Sequence, residues 1–208
     1  MSRKLFSISA VATLLGSSAI ADVPNVSVDI APLHSLVASV MNGVGVPSLI
    51  IPPGSSPHDH QLRPSEAKAM QDANIVFWMG EELTPWMENA VKTLSSDASV
   101  TTFLENAKTS LLEFREGALF EAHDHEEEHD DDEHGHGSHD PHAWLSPNNA
   151  KAWLDVIAAQ LSSYDTENAG VYFTNAASAK SEIEMMIAEI ILALDPIRGG
   201  NFIVFHDA

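Results

Sequence analysis

Three histidines stand where a predicted regular element gives way to a loop. His58 lies in GSSPHDHQLRPSE, after one predicted strand and before a helix. His142 lies in DPHAWLSP, just before a helix start, and His206 follows the apolar run NFIVF. In open α/β sheets, ligands gather at the carboxyl ends of strands. Three imidazoles meeting there suit Zn²⁺, with Zn–N distances of about 2.0–2.1 Å. His60 is an alternative ligand or an outer donor, and Asp59 is either a fourth ligand or an orienting carboxylate. The separations are too long for a short-motif signature, so convergence is an expectation from the elements. His34, on a helix beside Leu33, reads as packed or surface histidine, and the four tryptophans read as core.

The stretch HDHEEEHDDDEHGHGSHDPH, residues 123–142, holds seven histidines. Residues 121–140 contain ten of the chain's 30 acids and no lysine or arginine. Such a segment cannot bury a core, so it is read as a disordered arm. Its carboxylates concentrate cations nearby. Capture of metal by the arm and a passive solvated loop are both open. Three chemistries compete: a selective metal receptor, a zinc hydrolase using three histidines and a water, and a sponge with several weak sites on the arm. The hydrolase lacks an HExxH-type motif or a nucleophile–base pair, although Asp59 or Glu66 could be named as base. The sponge predicts little loss when His58 is changed.

The elements that must position these residues alternate in type. Val26–Ile30, Ser48–Ile51, the unbroken apolar run IVFWM at 75–79 and Val100–Phe103 read as strands. A strand covered on both faces has that unbroken character. Between them, PLHSLVASVMNG keeps helical spacing and stops at Asn42-Gly43. RPSEAKAMQDAN is a helix with Pro64 in its first turn, and Leu83–Leu94 another. Ser146 is an N-cap with Pro147 behind it. A long helix is predicted from about Thr166 to Leu194, striped by Ile183, Ile187, Ile190, Ile191 and Leu194. At about 40 Å it suits a bridge between two bodies. The alternation predicts an α/β fold with an open, mainly parallel sheet flanked by helices, a long linking helix, and the start of a second α/β lobe.

The organisation read from this is a signal peptide at 1–21, an amino-terminal metal-binding lobe at 22–164, a linking helix at 165–195, and the first strand of a truncated second lobe at 196–208. The leader is read from Arg3-Lys4, the short apolar stretch Leu5–Leu15 and the small-x-small site Ala19-Ile20-Ala21. The apolar stretch is too short to span a bilayer. Export to the periplasm, with cleavage after Ala21, is expected. The chain has no cysteine, which excludes disulfides, thiolate sites and a lipid-bearing cysteine. Its formal charge of −20 argues against nucleic acid as a partner and suits a protein that handles cations.

With APLHSLVASV, GSSPHDHQLRPSEAKAMQDANIVFWMG, the acidic histidine-rich arm, PHAWLSP and FIVFHDA in this order, the chain resembles the ZnuA-type zinc-binding receptors of periplasmic ABC uptake systems. The resemblance covers essentially all of the chain after the leader. It implies two lobes joined by a long helix, with a metal held between them by His58, His142 and His206. His142 would belong to the first lobe and His206 to the start of the second. It implies Zn²⁺ as transported ligand, an inner-membrane ABC permease as partner, a monomer, and no enzymatic activity. Many zinc members carry Glu where this chain has Pro57, so that carboxylate is unavailable as a ligand, and water or a loop residue would complete the tetrahedron. A manganese receptor of the same class is the alternative. Histidine at 206, instead of the carboxylate of many manganese relatives, favours zinc, because Mn²⁺ prefers oxygen.

Overall fold

A computed structural model describes residues 23–113 and 139–201. The predicted leader, most of the arm, and the expected last strand with His206 and Asp207 lie outside the described residues. Four strands, β1 (Val26–Val28), β2 (Ser48–Leu49), β3 (Ile75–Trp78) and β4 (Ser99–Thr102), form one sheet in the order β2-β1-β3-β4. Every pairing is parallel; Val28 aligns with Leu49 on one side and Phe77 on the other, and Trp78 aligns with Thr102. All residues of β1 and β3 are buried; the unbroken apolar run of β3 requires this of a central strand with both faces covered, and in β1 the buried Ser27 hydroxyl is paired with the Ala69 carbonyl at 3.0 Å.

The helices are α1 (Ala31–Val40), α2 (Pro64–Gln71), α3 (Met87–Leu94), α4 (Pro147–Tyr164) and α5 (Ala169–Leu194). α1, α4 and α5 pack on one another, and α2 packs on α3. The core centres on Phe77, Phe103 and Trp153, whose rings follow each other at 6.0 and 5.0 Å between centroids. Trp153 also donates its indole N–H to Thr109 Oγ1 at 2.9 Å, so its one polar atom is paired.

Local chemistry sets the ends of these elements. Ser146 Oγ accepts the Asn149 amide at 3.4 Å, with Pro147 at the first helical position. α3 begins at Met87, four residues later than its periodicity predicts. Residues 80–86 are instead a turn in which Gly80 takes φ +140°, its carbonyl accepts the Leu83 and Thr84 amides, and buried Thr84 accepts the Trp78 indole. A side chain at Gly80 would also press against Leu104 and Thr102 at 3.3 Å.

α5 likewise starts at Ala169, not Thr166, because Asp165 claims the intervening backbone. Its buried carboxylate accepts the Asn168 amide, the Asn168 side chain and the Tyr172 hydroxyl, at 3.2, 2.7 and 2.8 Å. Burial pushes the Asp165 carboxyl up, but the bonds from Asn168, Tyr172 and Glu167 outweigh it and hold it below the ordinary 3.8. A carboxyl depressed in the fold contributes stability above its unfolded value and loses it as pH falls through the folded one. Asp165→Ala is therefore expected to cost about 2–3 kcal/mol at pH 7. The penalty should shrink below pH 3.8. Urea midpoints of both proteins at pH 7 and pH 3 check this; an equal gap at the two would contradict it.

α5 changes character along its length. Tyr172, Ala176 and Ala179 are buried, and Ile183 and Ile187 are half-buried. Met185, Met186, Ile190, Ile191, Leu192 and Leu194 are exposed, Leu192 by 75%. Only the inner part of the predicted stripe thus meets this lobe.

Candidate metal centre

Two of the three predicted histidines come together at the carboxyl-terminal side of the sheet. After β2 the chain stays extended, with the Ile50 and Ile51 amides bonded to the Val28 and Asp29 carbonyls. Pro52-Pro53-Gly54 then turns it, with Gly54 at φ +84°, and residues 55–63 form the loop carrying His58. The buried Asp29 carboxylate joins the exits of β1 and β3 by accepting the Ile30 and Met79 amides, each at 2.7 Å. Burial pushes this carboxyl up to about 7 against the pull of those amides.

His142 is set by a different device. The Asp140 amide donates to the Leu112 carbonyl at 2.8 Å, and Glu113 and His139 face each other in an antiparallel bridge. Residues Ala143–Leu145 make one 3₁₀ turn before the Ser146 cap. Asn149, buried on the first turn of α4, fastens that turn: its side chain accepts the Ser110 amide and donates to the Ser110 and Ala143 carbonyls, each at 2.9 Å. His139 and Asp140, read as the end of the arm, are thus built into the lobe.

The His58 and His142 rings lie 5.7 Å apart between centroids, at 73° to each other. Two imidazoles on one tetrahedral zinc stand about 5 Å apart by centroids, given Zn–N of about 2.0 Å. The centroid separation of the pair is close to that value. Asp140 Oδ1 meets His142 Nδ1 at 2.6 Å and the His142 amide at 2.9 Å. A carboxylate only accepts, so Nδ1 carries the proton; in the neutral ring the lone pair is then on Nε2. That tautomer can offer Nε2 to a metal, and the carboxylate–histidine pairing is the kind found behind metal-bound imidazoles.

The accessory candidates sit otherwise. His60 Nε2 meets Glu66 Oε2 at 2.8 Å, with the His60 ring against Trp86 at 5.5 Å. Burial raises the Glu66 carboxyl, but the Arg63 amide and the His60 ring outweigh it and hold it below the usual glutamate value. Asp59 is exposed. Among the described residues no group of three His, Asp or Glu side chains gathers to hold a metal. His34 bonds the Pro47 carbonyl at 3.0 Å and takes no part. Of the tryptophans, Trp78 and Trp153 are core, but half-buried Trp144 lies 5.0 Å from the His142 ring and Trp86 borders the His58 loop. Asp140, Asn149 and Trp86 are the positioning residues that pattern reading passed over. An acid two residues before a histidine was a usable signal for the first of them; the other two act through contacts distant in sequence.

Residues 26–208 match the family model described as ZnuA, zinc-uptake complex component A, periplasmic. The chain is similar to the high-affinity zinc uptake system protein ZnuA of Paracoccus denitrificans (strain Pd 1222): 40% identical over 215 residues, covering 95% of this chain and 66% of that one. To the protein of the same name from Brucella abortus (strain 2308) it is 37% identical over 216 residues, covering 93% and 65%. It shares the fold of a crystal structure described as "138-173 ZnuA deletion mutant plus zinc bound", with a TM-score of 0.72, 22% identity, and coverage of 89% and 64%. The chain therefore spans about two thirds of the length of the relatives it matches.

Proposed function

Because this chain belongs to the ZnuA family of periplasmic zinc-uptake components, we propose that it captures Zn²⁺ in the periplasm and delivers it to an inner-membrane ABC permease. Members of this family are metal-binding receptors and not enzymes, which sets the hydrolase reading aside. His58, His142 and His206 are the proposed ligands, with water or a loop residue in the fourth position. Residues 22–164 would form the first lobe, 165–195 the linking helix and 196–208 the start of the second lobe. The protein would act as a monomer after cleavage of its leader behind Ala21.

One observation supports this reading: the His58–His142 pair, with Asp140 on His142 Nδ1, so that a cation would bind through Nε2. Zinc is favoured because the donors are imidazoles, which Mn²⁺ binds less readily than oxygen. The purified protein is expected to carry one equivalent of tight zinc and to keep it against excess manganese. Metal analysis after dialysis decides this; a protein without a tight zinc site, or one that exchanges it for manganese, removes the proposal. Asp140→Ala should weaken zinc by about 10–100-fold, the usual loss when a partner behind a metal-bound histidine is removed. Competition with a chromophoric chelator measures it, and unchanged affinity would show that Asp140 does not hold the ligand.

A further inference from the structure

We propose that His60 is not a metal ligand but the centre of a brace, with Glu66 and Trp86, that aims the His58 ring. The proposal rests on the reading of His58 as a zinc ligand.

The loop that carries His58 contains no helix or strand. Within residues 52–63 the chain holds itself by the Ser55 amide on the Pro52 carbonyl at 3.1 Å and the His58 amide on Ser56 Oγ at 3.3 Å. Stronger ties come from outside and fall on both sides of His58. On one side the Trp86 indole N–H, from the start of α3, donates to the Pro57 carbonyl at 2.7 Å. On the other, His60 bonds Glu66 on the first turn of α2 at 2.8 Å, and its side chain is only 6% exposed. Glu66 is itself pinned, because it accepts the Arg63 amide at 2.7 Å. The His60 ring rests edge-on against Trp86, so the two ties are joined.

Position separates a brace from a ligand, because the carboxylate bond alone does not. Glu66 as a carboxylate can only accept, so His60 Nε2 is the donor and is committed to α2, and a metal could be reached only through Nδ1. Neither His60 nor Asp59 joins His58 and His142 in a metal-holding group among the described residues. What His60 supplies is a donor at the Nε2 position, and a glutamine amide nitrogen can supply the same donor at nearly the same place. A ligand imidazole has no such substitute.

The test uses the full-length protein and reads two quantities: zinc affinity by chelator competition, and the visible bands of bound Co²⁺, which report ligand geometry. Far-UV circular dichroism and melting confirm folding. His60→Ala and Trp86→Phe should each weaken zinc by about 10–100-fold and shift the Co²⁺ bands. His60→Gln should restore both to wild type. Loss in His60→Gln equal to that in His60→Ala would overturn the proposal by making the imidazole itself a ligand. Wild-type affinity and bands in His60→Ala would overturn it by showing that nothing is braced. If His60→Ala does not fold, Trp86→Phe and His60→Gln decide: weakening in the first with recovery in the second supports the brace, and any other pattern overturns it. His58→Ala is the control. Full affinity there removes the metal-ligand reading and the brace with it, whereas lost affinity there beside unchanged brace variants removes the brace alone.

Discussion

Replacing either His58 or His142 with alanine is expected to reduce zinc affinity by well over 100-fold, beyond the range seen when only outer partners are lost. A zinc site of this kind has few protein donors, and each contributes a short, directional bond. His142→Ala also leaves the Asp140 carboxylate facing a gap where it now holds an imidazole at 2.6 Å. Isothermal titration of the full-length variants provides the measurement. The same titration separates a receptor from a sponge. If the arm did the binding, several weak sites would survive both substitutions almost unchanged, and retention of one tight site in either variant would dismiss the paired-histidine centre.

Asn149→Ala should produce the largest stability loss of any single polar substitution discussed here, about 3 kcal/mol, because three backbone groups, one in a buried bond and two in part-buried ones, lose their partner at once. Those groups are the Ser110 amide and the Ser110 and Ala143 carbonyls. For a chain of this size that corresponds to a fall of about 6–12 °C in melting temperature. Asn149→Asp should fare no better despite its shape. A carboxylate still accepts the Ser110 amide, but it meets two carbonyls with acceptors instead of donors. Both variants should also bind zinc more weakly, because the turn that presents His142 is fastened by Ala143. Calorimetric melting checks the first claim, and a melting point in Asn149→Asp equal to wild type would refute the account of this clamp.

Much of the scaffold was readable because it follows from local rules. The IVFW run could only be a strand buried on both sides, and β3 is one. Pro64 and the Ser146-Pro147 pair marked helix starts that lie where expected. Reading was weaker where tertiary bonds overrode periodicity. Leu83 fits a helical stripe, yet it lies in a turn held by Gly80 and Thr84. Thr166 is as good a helix start as Ala169 until the Asp165 carboxylate captures Asn168. For the site, spacing could not place His58 beside His142, since nothing local relates them; only the motif order pointed there. Asp140 was hidden because a carboxylate at the end of an acidic run looks like one more solvated charge. Asn149 looked like an ordinary surface residue of a helix, because its three partners are set by how the segment after β4 returns to the turn before α4.

The two halves of α5 should differ in how easily their backbone opens. Up to Ala179 the helix is clamped by buried Tyr172, Ala176 and Ala179 and by the Lys180–Asp155 ion pair. Beyond Ile187 its apolar side chains face solvent. Amide protons of the inner half should exchange with deuterium only when the whole lobe unfolds, and those of the outer half by local fraying, orders of magnitude sooner. The helix is therefore a rod fixed at one end and soft at the other, and any apolar surface laid along Ile190, Ile191 and Leu194 would stiffen it.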